Sequence, residues 1–194
     1  MKKKLFSLAV ICICLSVVSA GTLAYYTANE TAHNVITSGG VNIEVVEQMQ
    51  NGDTLIDFPA EGISGVMPGT SVSKIVRVEN TGASDAWIRV KVSEKMTSAE
   101  GADLSAGVMT YKVKEGWIDG GDGYYYYNEP VAPADSTDVL FETVNFDAAM
   151  GNEYQNCTAN ILIYAEAVQS ANNAIPENGD VTDIQGWPTA VENE

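Results

Sequence analysis

The chain has 194 residues, with 10 basic and 26 acidic side chains and a formal net charge of -16. A chain of this length with 45% hydrophobic residues buries enough surface for one domain without a metal or disulfide staple. So acidic a total excludes a nucleic-acid partner, because there is no basic surface to displace counterions from phosphates.

The first segment carries an address. Lys2, Lys3 and Lys4 precede an apolar run from Leu5 to Val18, followed by the small residues Ser19, Ala20 and Gly21. That is the three-part layout of a secretory signal, and the run is too short for a membrane span. The expectation is export with no stable membrane insertion after cleavage. Without the three lysines, seven basic residues face 26 acidic ones, a net charge of about -19. Cys12 and Cys14 belong to the signal, which leaves Cys157 alone and no intramolecular disulfide. Cys157 opens an apolar segment, where it is expected to be a small buried hydrophobe.

Tyr25 to Thr37 is a polar arm rich in Thr and Asn, apolar only at Val35 and Ile36 near its end. Val41 to Glu47 then sets Val41, Ile43 and Val45 against Asn42, Glu44 and Val46, the period-two pattern of a half-buried strand. Asn51-Gly52-Asp53 turns the chain into a short strand, Leu55 to Phe58, closed by Pro59. Met67-Pro68-Gly69-Thr70 is a second turn. It leads to Val72 to Glu79, where Val72, Val76 and Val78 share a face with one polar exception, Lys74. Asn80-Thr81-Gly82 leads to Ala86 to Ser93, with Ile88, Val90 and Val92 on one face and Trp87, Arg89 and Lys91 on the other. The short connection makes a hairpin of these two strands the simplest expectation.

Thr97 to Ala106 reads as a short helix or a loop. Val108 to Lys114, Gly123 to Asn128 and Asp138 to Phe146 read as three more strands, the first two separated by Asp119-Gly120-Gly121-Asp122-Gly123. Thr158 to Gln169 is the clearest strand, with Ile161, Ile163, Ala165 and Ala167 on one face and Leu162, Tyr164 and Val168 on the other. It is therefore expected to be central and covered on both sides. Beyond Ser170 the composition shifts to Asn, Pro, Gly and acids, with Trp187-Pro188 as a docking point. Short strands separated by turns predict an all-β, jelly-roll-like antiparallel β-sandwich with short helical or loop insertions. The expected organisation is a signal (1–24), an arm (25–37), a sandwich (38–170) and an acidic C-terminal segment (171–194).

Chemistry-bearing constellations are few. The only histidine, His33, lies in the arm, so two imidazoles on one helical face cannot be built. No glycine-flanked serine elbow is present. Asp119 and Asp122 offer hard oxygen ligands to calcium, but their loop lacks the remaining ligand spacing, and a glycine turn between strands is the plainer reading. In a strand Tyr124 to Tyr127 send two rings to each face, which suits sheet packing better than a sugar-stacking platform.

Gly21-Thr22-Leu23-Ala24-Tyr25-Tyr26, the arm after it and Ser38-Gly39-Gly40-Val41-Asn42-Ile43 resemble the secreted TasA and camelysin family of Gram-positive bacteria. Met67-Pro68-Gly69-Thr70, Glu79-Asn80-Thr81-Gly82, Tyr154-Gln155 and Ile161 to Gln169 are similar to that family's turns and last strand. The resemblance implies cleavage between Ala24 and Tyr25 by a SipW-type signal peptidase. It also implies a jelly-roll domain whose freed arm, anchored by Tyr25, Tyr26, Val35 and Ile36, adds as a strand to the next subunit. The function so implied is non-enzymatic: a subunit of biofilm-matrix or cell-surface fibres that associates with itself or with related matrix proteins and uses no cofactor. A camelysin-like metal-dependent protease and a monomeric extracellular glycan- or calcium-binding module are the alternatives.

Overall fold

Alternating apolar residues dominate the chain from Val41 onward, and the computed structural model shows how the alternation is used. The structure describes residues 34–38, 40–59, 63–64 and 67–188, within the compact unit His33–Glu194. The expected signal segment, the Ala24-Tyr25 junction, Tyr26 and His33 lie outside the described residues. In chain order the strands are β1 (Asn34–Ser38), β2 (Ile43–Asn51), β3 (Thr54–Asp57), β4 (Ile63–Ser64), β5 (Ser71–Asn80) and β6 (Ala86–Thr97). They continue as β7 (Asp103–Leu104), β8 (Met109–Tyr111), β9 (Trp117–Asp119), β10 (Tyr125–Tyr127), β11 (Phe141–Phe146) and β12 (Thr158–Gln169). The helical insertions are single 3-10 turns, among them Ala106–Val108 and Val181–Asp183.

The strands form two sheets. One runs β1-β12-β6-β10-β9, with β4 added to β12 and β7 to β6; the other runs β3-β2-β5-β11-β8. The expected all-β antiparallel sandwich is the observed architecture. Every pairing between these strands is antiparallel except β1 on β12. Ile43, Val45, Val76, Val78, Phe141 and Val144 from one sheet pack against Ile88, Val90, Met96, Ile163, Ala165 and Ala167 from the other. Phe141 is fully buried; side chains in such positions typically contribute about 3–5 kcal/mol against truncation to alanine.

The expected hairpin between the strands through Val76 and Ile88 does not form, because β5 and β6 lie in different sheets. Each strand carries a continuous apolar face, and two such faces bury each other better face to face than edge to edge. Asn80 makes the corner. Its side chain is fully buried, and its Nδ2 donates to the carbonyls of Ser84 and Val131, each at 2.8 Å. The Gly82 N–H donates to Asn80 Oδ1 at 3.0 Å. A Cβ on Gly82 would lie 2.7 Å from the Asn42 nitrogen, so only glycine fits this crossing.

Lys74, the polar exception, points into the sandwich and pairs with Glu47 at 2.5 Å, under the ring of Phe58. The turn at Asp119 joins β9 to β10, rather than the strand through Val108 to the tyrosine run. β12 matches its expected bounds, but only part of its outer face is covered: Glu166 and Val168 are buried, whereas Leu162 is 38% exposed.

Candidate functional site

Two features of the β1/β12/β6/β10 sheet stand out. The first is the sheet edge. β1 pairs in parallel with β12, Val35 opposite Ala165 and Ile36 opposite Glu166. Of the four arm anchors expected from sequence, Val35 and Ile36 thus lie in a strand that pairs within its own chain. Gly40, at φ +80°, follows that strand with no atom crowding it, in a conformation glycine adopts without strain.

The second feature is on the outer face of the same sheet. Arg89 of β6 stands opposite Glu166 of β12, flanked along its strand by Ile88 and Val90 and facing Ala165 and Ala167 beside Glu166. Arg89 Nε and Nη2 donate to Glu166 Oε2 at 2.8 and 2.6 Å, and Nη1 donates to the Tyr126 hydroxyl at 3.0 Å. Tyr124 donates its hydroxyl to Glu166 Oε1 at 2.9 Å, and Tyr126 donates to Asp122 Oδ2 at 2.7 Å. The guanidinium lies 4.0 Å from the Tyr124 ring and 4.6 Å from that of Trp187. Burial opposes its charge, but the bonds to Glu166 and Tyr126 outweigh burial and hold Arg89 above its ordinary pKa. Burial, reinforced by Glu166, raises the Tyr124 hydroxyl; burial and the bond to Asp122 raise that of Tyr126.

The C-terminal segment covers this cluster. Val181 and Ile184, both 2% exposed, pack with Trp87, Tyr126 and Val168, and Trp187 joins them at the docking point expected from sequence. Trp87 Nε1 donates to the Asn173 carbonyl at 2.8 Å, while the Trp187 Nε1 is buried without a partner among the described residues. Asp180 caps the turn at Val181–Asp183 in a capping box.

The tyrosine run divides as its period demands. Tyr125 and Tyr127 pack with the sandwich core, whereas Tyr124 and Tyr126 face the outer cluster. Asp119 and Asp122 serve the turn between β9 and β10. The Gly121 N–H donates to Asp119 Oδ1, and the Tyr124 N–H donates to Asp122 Oδ1. Slight burial works against the Asp122 charge, but the Tyr126 hydroxyl and the Tyr124 N–H overcome it and hold this carboxyl below its usual range. Among the described residues, no three His, Cys, Asp or Glu side chains converge as a metal-ligand group. Cys157 is 1% exposed in the core, and burial pushes its thiol up.

Sequence reasoning did not single out Arg89 and Glu166. The available signal was Glu166, the one charge of β12, with Arg89 between Ile88 and Val90 on β6. No protein-family model, no curated protein and no solved structure matches this chain.

Proposed function

We propose that this chain is the subunit of a secreted, non-enzymatic, TasA-like fibre of the cell surface or biofilm matrix, assembled when the arm of one copy takes the β1 position on β12 of the next. The observation that carries the reading is the strand Asn34–Ser38, the first of the described strands, a parallel addition at a sheet edge followed by Gly39-Gly40. A strand at that edge is held by ladder bonds on one side only. An identical strand from a second copy makes the same ladder, so exchange costs no backbone bond, and local concentration decides which strand is seated. Repeated head to tail, such a contact does not close and therefore propagates a filament.

Release by signal cleavage is the switch in this reading, since the arm is donated only once it is free. The test is negative-stain electron microscopy of protein beginning at Tyr25, beside the same protein with a few residues added ahead of Tyr25. Filaments from the first and not the second are expected; monomers from both overturn the reading. Proline is poorly tolerated inside a paired strand, so Ile36→Pro is expected to weaken the β1 pairing and abolish filaments while leaving the sandwich folded. With a charge of about -19 per subunit, filament yield is expected to rise with salt.

A further inference from the structure

The other sheet ends in a strand with unusual chemistry. β3 closes the order β3-β2-β5-β11-β8, and all four of its residues are exposed, Leu55 at 46% and Ile56 at 41%. Edge strands are ordinarily guarded by lysine, proline or a bulge. Thr54-Leu55-Ile56-Asp57 has no lysine or proline and pairs with β2 without a register shift.

The hydrogen-bonding phase of this edge follows from two contacts. The Phe58 N–H donates to the Glu47 carbonyl at 3.0 Å, which makes Phe58 and Glu47 a hydrogen-bonded pair. The Gln50 N–H turns the other way and donates to Ser73 Oγ of β5 at 3.0 Å. Antiparallel ladders alternate bonded and non-bonded pairs, so Gln50 with Leu55 and Gln48 with Asp57 are the non-bonded pairs of β2 and β3. The N–H and C=O groups of Leu55 and Asp57 therefore point away from β2, to an edge on which no strand pairs among the described residues.

We propose that β3 is a homodimerisation edge that pairs antiparallel with β3 of a second copy about a two-fold axis through Ile56. In that register Leu55 of each copy forms a bonded pair with Asp57 of the other, and the two Ile56 side chains meet in the close, non-bonded pair between them. No carboxylate faces a carboxylate across the seam. Shifting the axis to Leu55 sets Asp53 against Asp57, and shifting it to Asp57 sets two Asp57 side chains opposite each other. Directly opposed like charges disfavour both. The sequence of the strand thus selects one self-complementary register, and the contact joins two five-stranded sheets into one. It is isologous and closes on itself, unlike the head-to-tail donation at β1, and it does not depend on that donation.

Cysteine placement tests the register. Across a non-bonded antiparallel pair the Cα atoms stand about 4.5 Å apart, within disulfide reach. In protein beginning at Tyr25, Ile56→Cys is expected to oxidise to a covalent dimer on a denaturing gel roughly tenfold faster than Thr54→Cys, which would face Phe58 instead. Cys157 is buried and does not compete. Sedimentation of the unmodified protein is expected to show a concentration-dependent dimer that Ile56→Lys abolishes without lowering thermal stability. Equal oxidation of the two cysteine variants, or a sedimentation profile unchanged by Ile56→Lys, overturns the proposal. A dimer together with absent filaments refutes the fibre reading alone; filaments together with a failed Ile56→Cys crosslink refute this one alone.

Discussion

Glu166 accepts two hydrogen bonds from Arg89, the shorter 2.6 Å, across adjacent strands whose neighbouring residues are apolar. Their side chains are 3% and 13% exposed, so neither charge is left to water. Deleting one partner of such a pair is far costlier than replacing both, because the survivor keeps its desolvation cost and loses its compensation. Glu166→Ala is expected to lower unfolding free energy by about 3 kcal/mol, and Arg89→Met with Glu166→Leu to recover most of that loss. Chemical denaturation of Arg89→Met, Glu166→Leu and the variant carrying both gives the coupling directly.

The C-terminal segment rests on the sheet through side chains. Ile184→Ala empties a fully packed site and is expected to cost about 2–4 kcal/mol of the segment's docking, and less of global stability, since the segment opens locally. Hydrogen exchange is the measurement. Amides of Val181–Ile184 lose protection in the variant while those through Val76 and Val78 keep theirs.

Alkaline pH acts on the tyrosines. Burial, the first cause at each, holds Tyr111, Tyr124, Tyr126 and Tyr127 above their ordinary value. An acid with a raised folded pKa stays protonated after the unfolded chain has ionised. Its stabilising contribution is therefore complete below about pH 10 and is lost as pH climbs through the folded values. Lys74 works in the opposite sense: burial lowers its pKa, so stability gains with pH between that lowered value and about 10.4. Phenolate absorbance during a base titration is expected to rise in two stages, the second coincident with loss of far-ultraviolet β signal.

Cys157 offers a clean probe of opening. A buried thiol with a raised pKa reacts only when the core exposes it. Labelling by an aromatic disulfide is expected to be negligible in the native protein and complete in denaturant, and Cys157→Ala is expected to cost about 1 kcal/mol or slightly more. Fast labelling of the native protein would contradict the packing described here.

Asn80 sets the crossing between sheets. Removing its amide leaves the part-buried Ser84 carbonyl and the buried Val131 carbonyl each short of a donor, and Asn80→Ala is expected to cost about 2–4 kcal/mol. Asn80→Asp keeps the acceptor for Gly82 but replaces both donors, and is expected to be no better. Thermal unfolding of the two variants checks this.

Period-two alternation made much of this architecture legible. β12 begins and ends where its pattern does, Trp87, Arg89 and Lys91 of β6 share a face opposite Ile88, Val90 and Val92, and the tyrosine run splits between faces. Alternation states which residues share a face, but not which strand lies alongside. That is why the crossing at Asn80 read as a hairpin and why β9, three residues between glycine-rich turns, was passed over. The Arg89–Glu166 pair was hidden for a related reason: its residues are 77 apart in sequence, and each alone looks like a solvated charge on a strand. Trp187 was visible because a tryptophan beside proline in an acidic stretch has few uses except docking.

The three tryptophans are distributed unevenly, and this gives the protein its own optical reporters. Trp117 lies in the sandwich core, against Tyr127, whereas Trp87 and Trp187 share the outer cluster. Two of the three indoles therefore sense the C-terminal segment and one senses the interior. Emission from a Trp117→Phe variant follows undocking of that segment, while emission from a variant lacking the other two indoles follows melting of the sandwich. Separate midpoints for these signals would show that the outer layer peels away before the core yields.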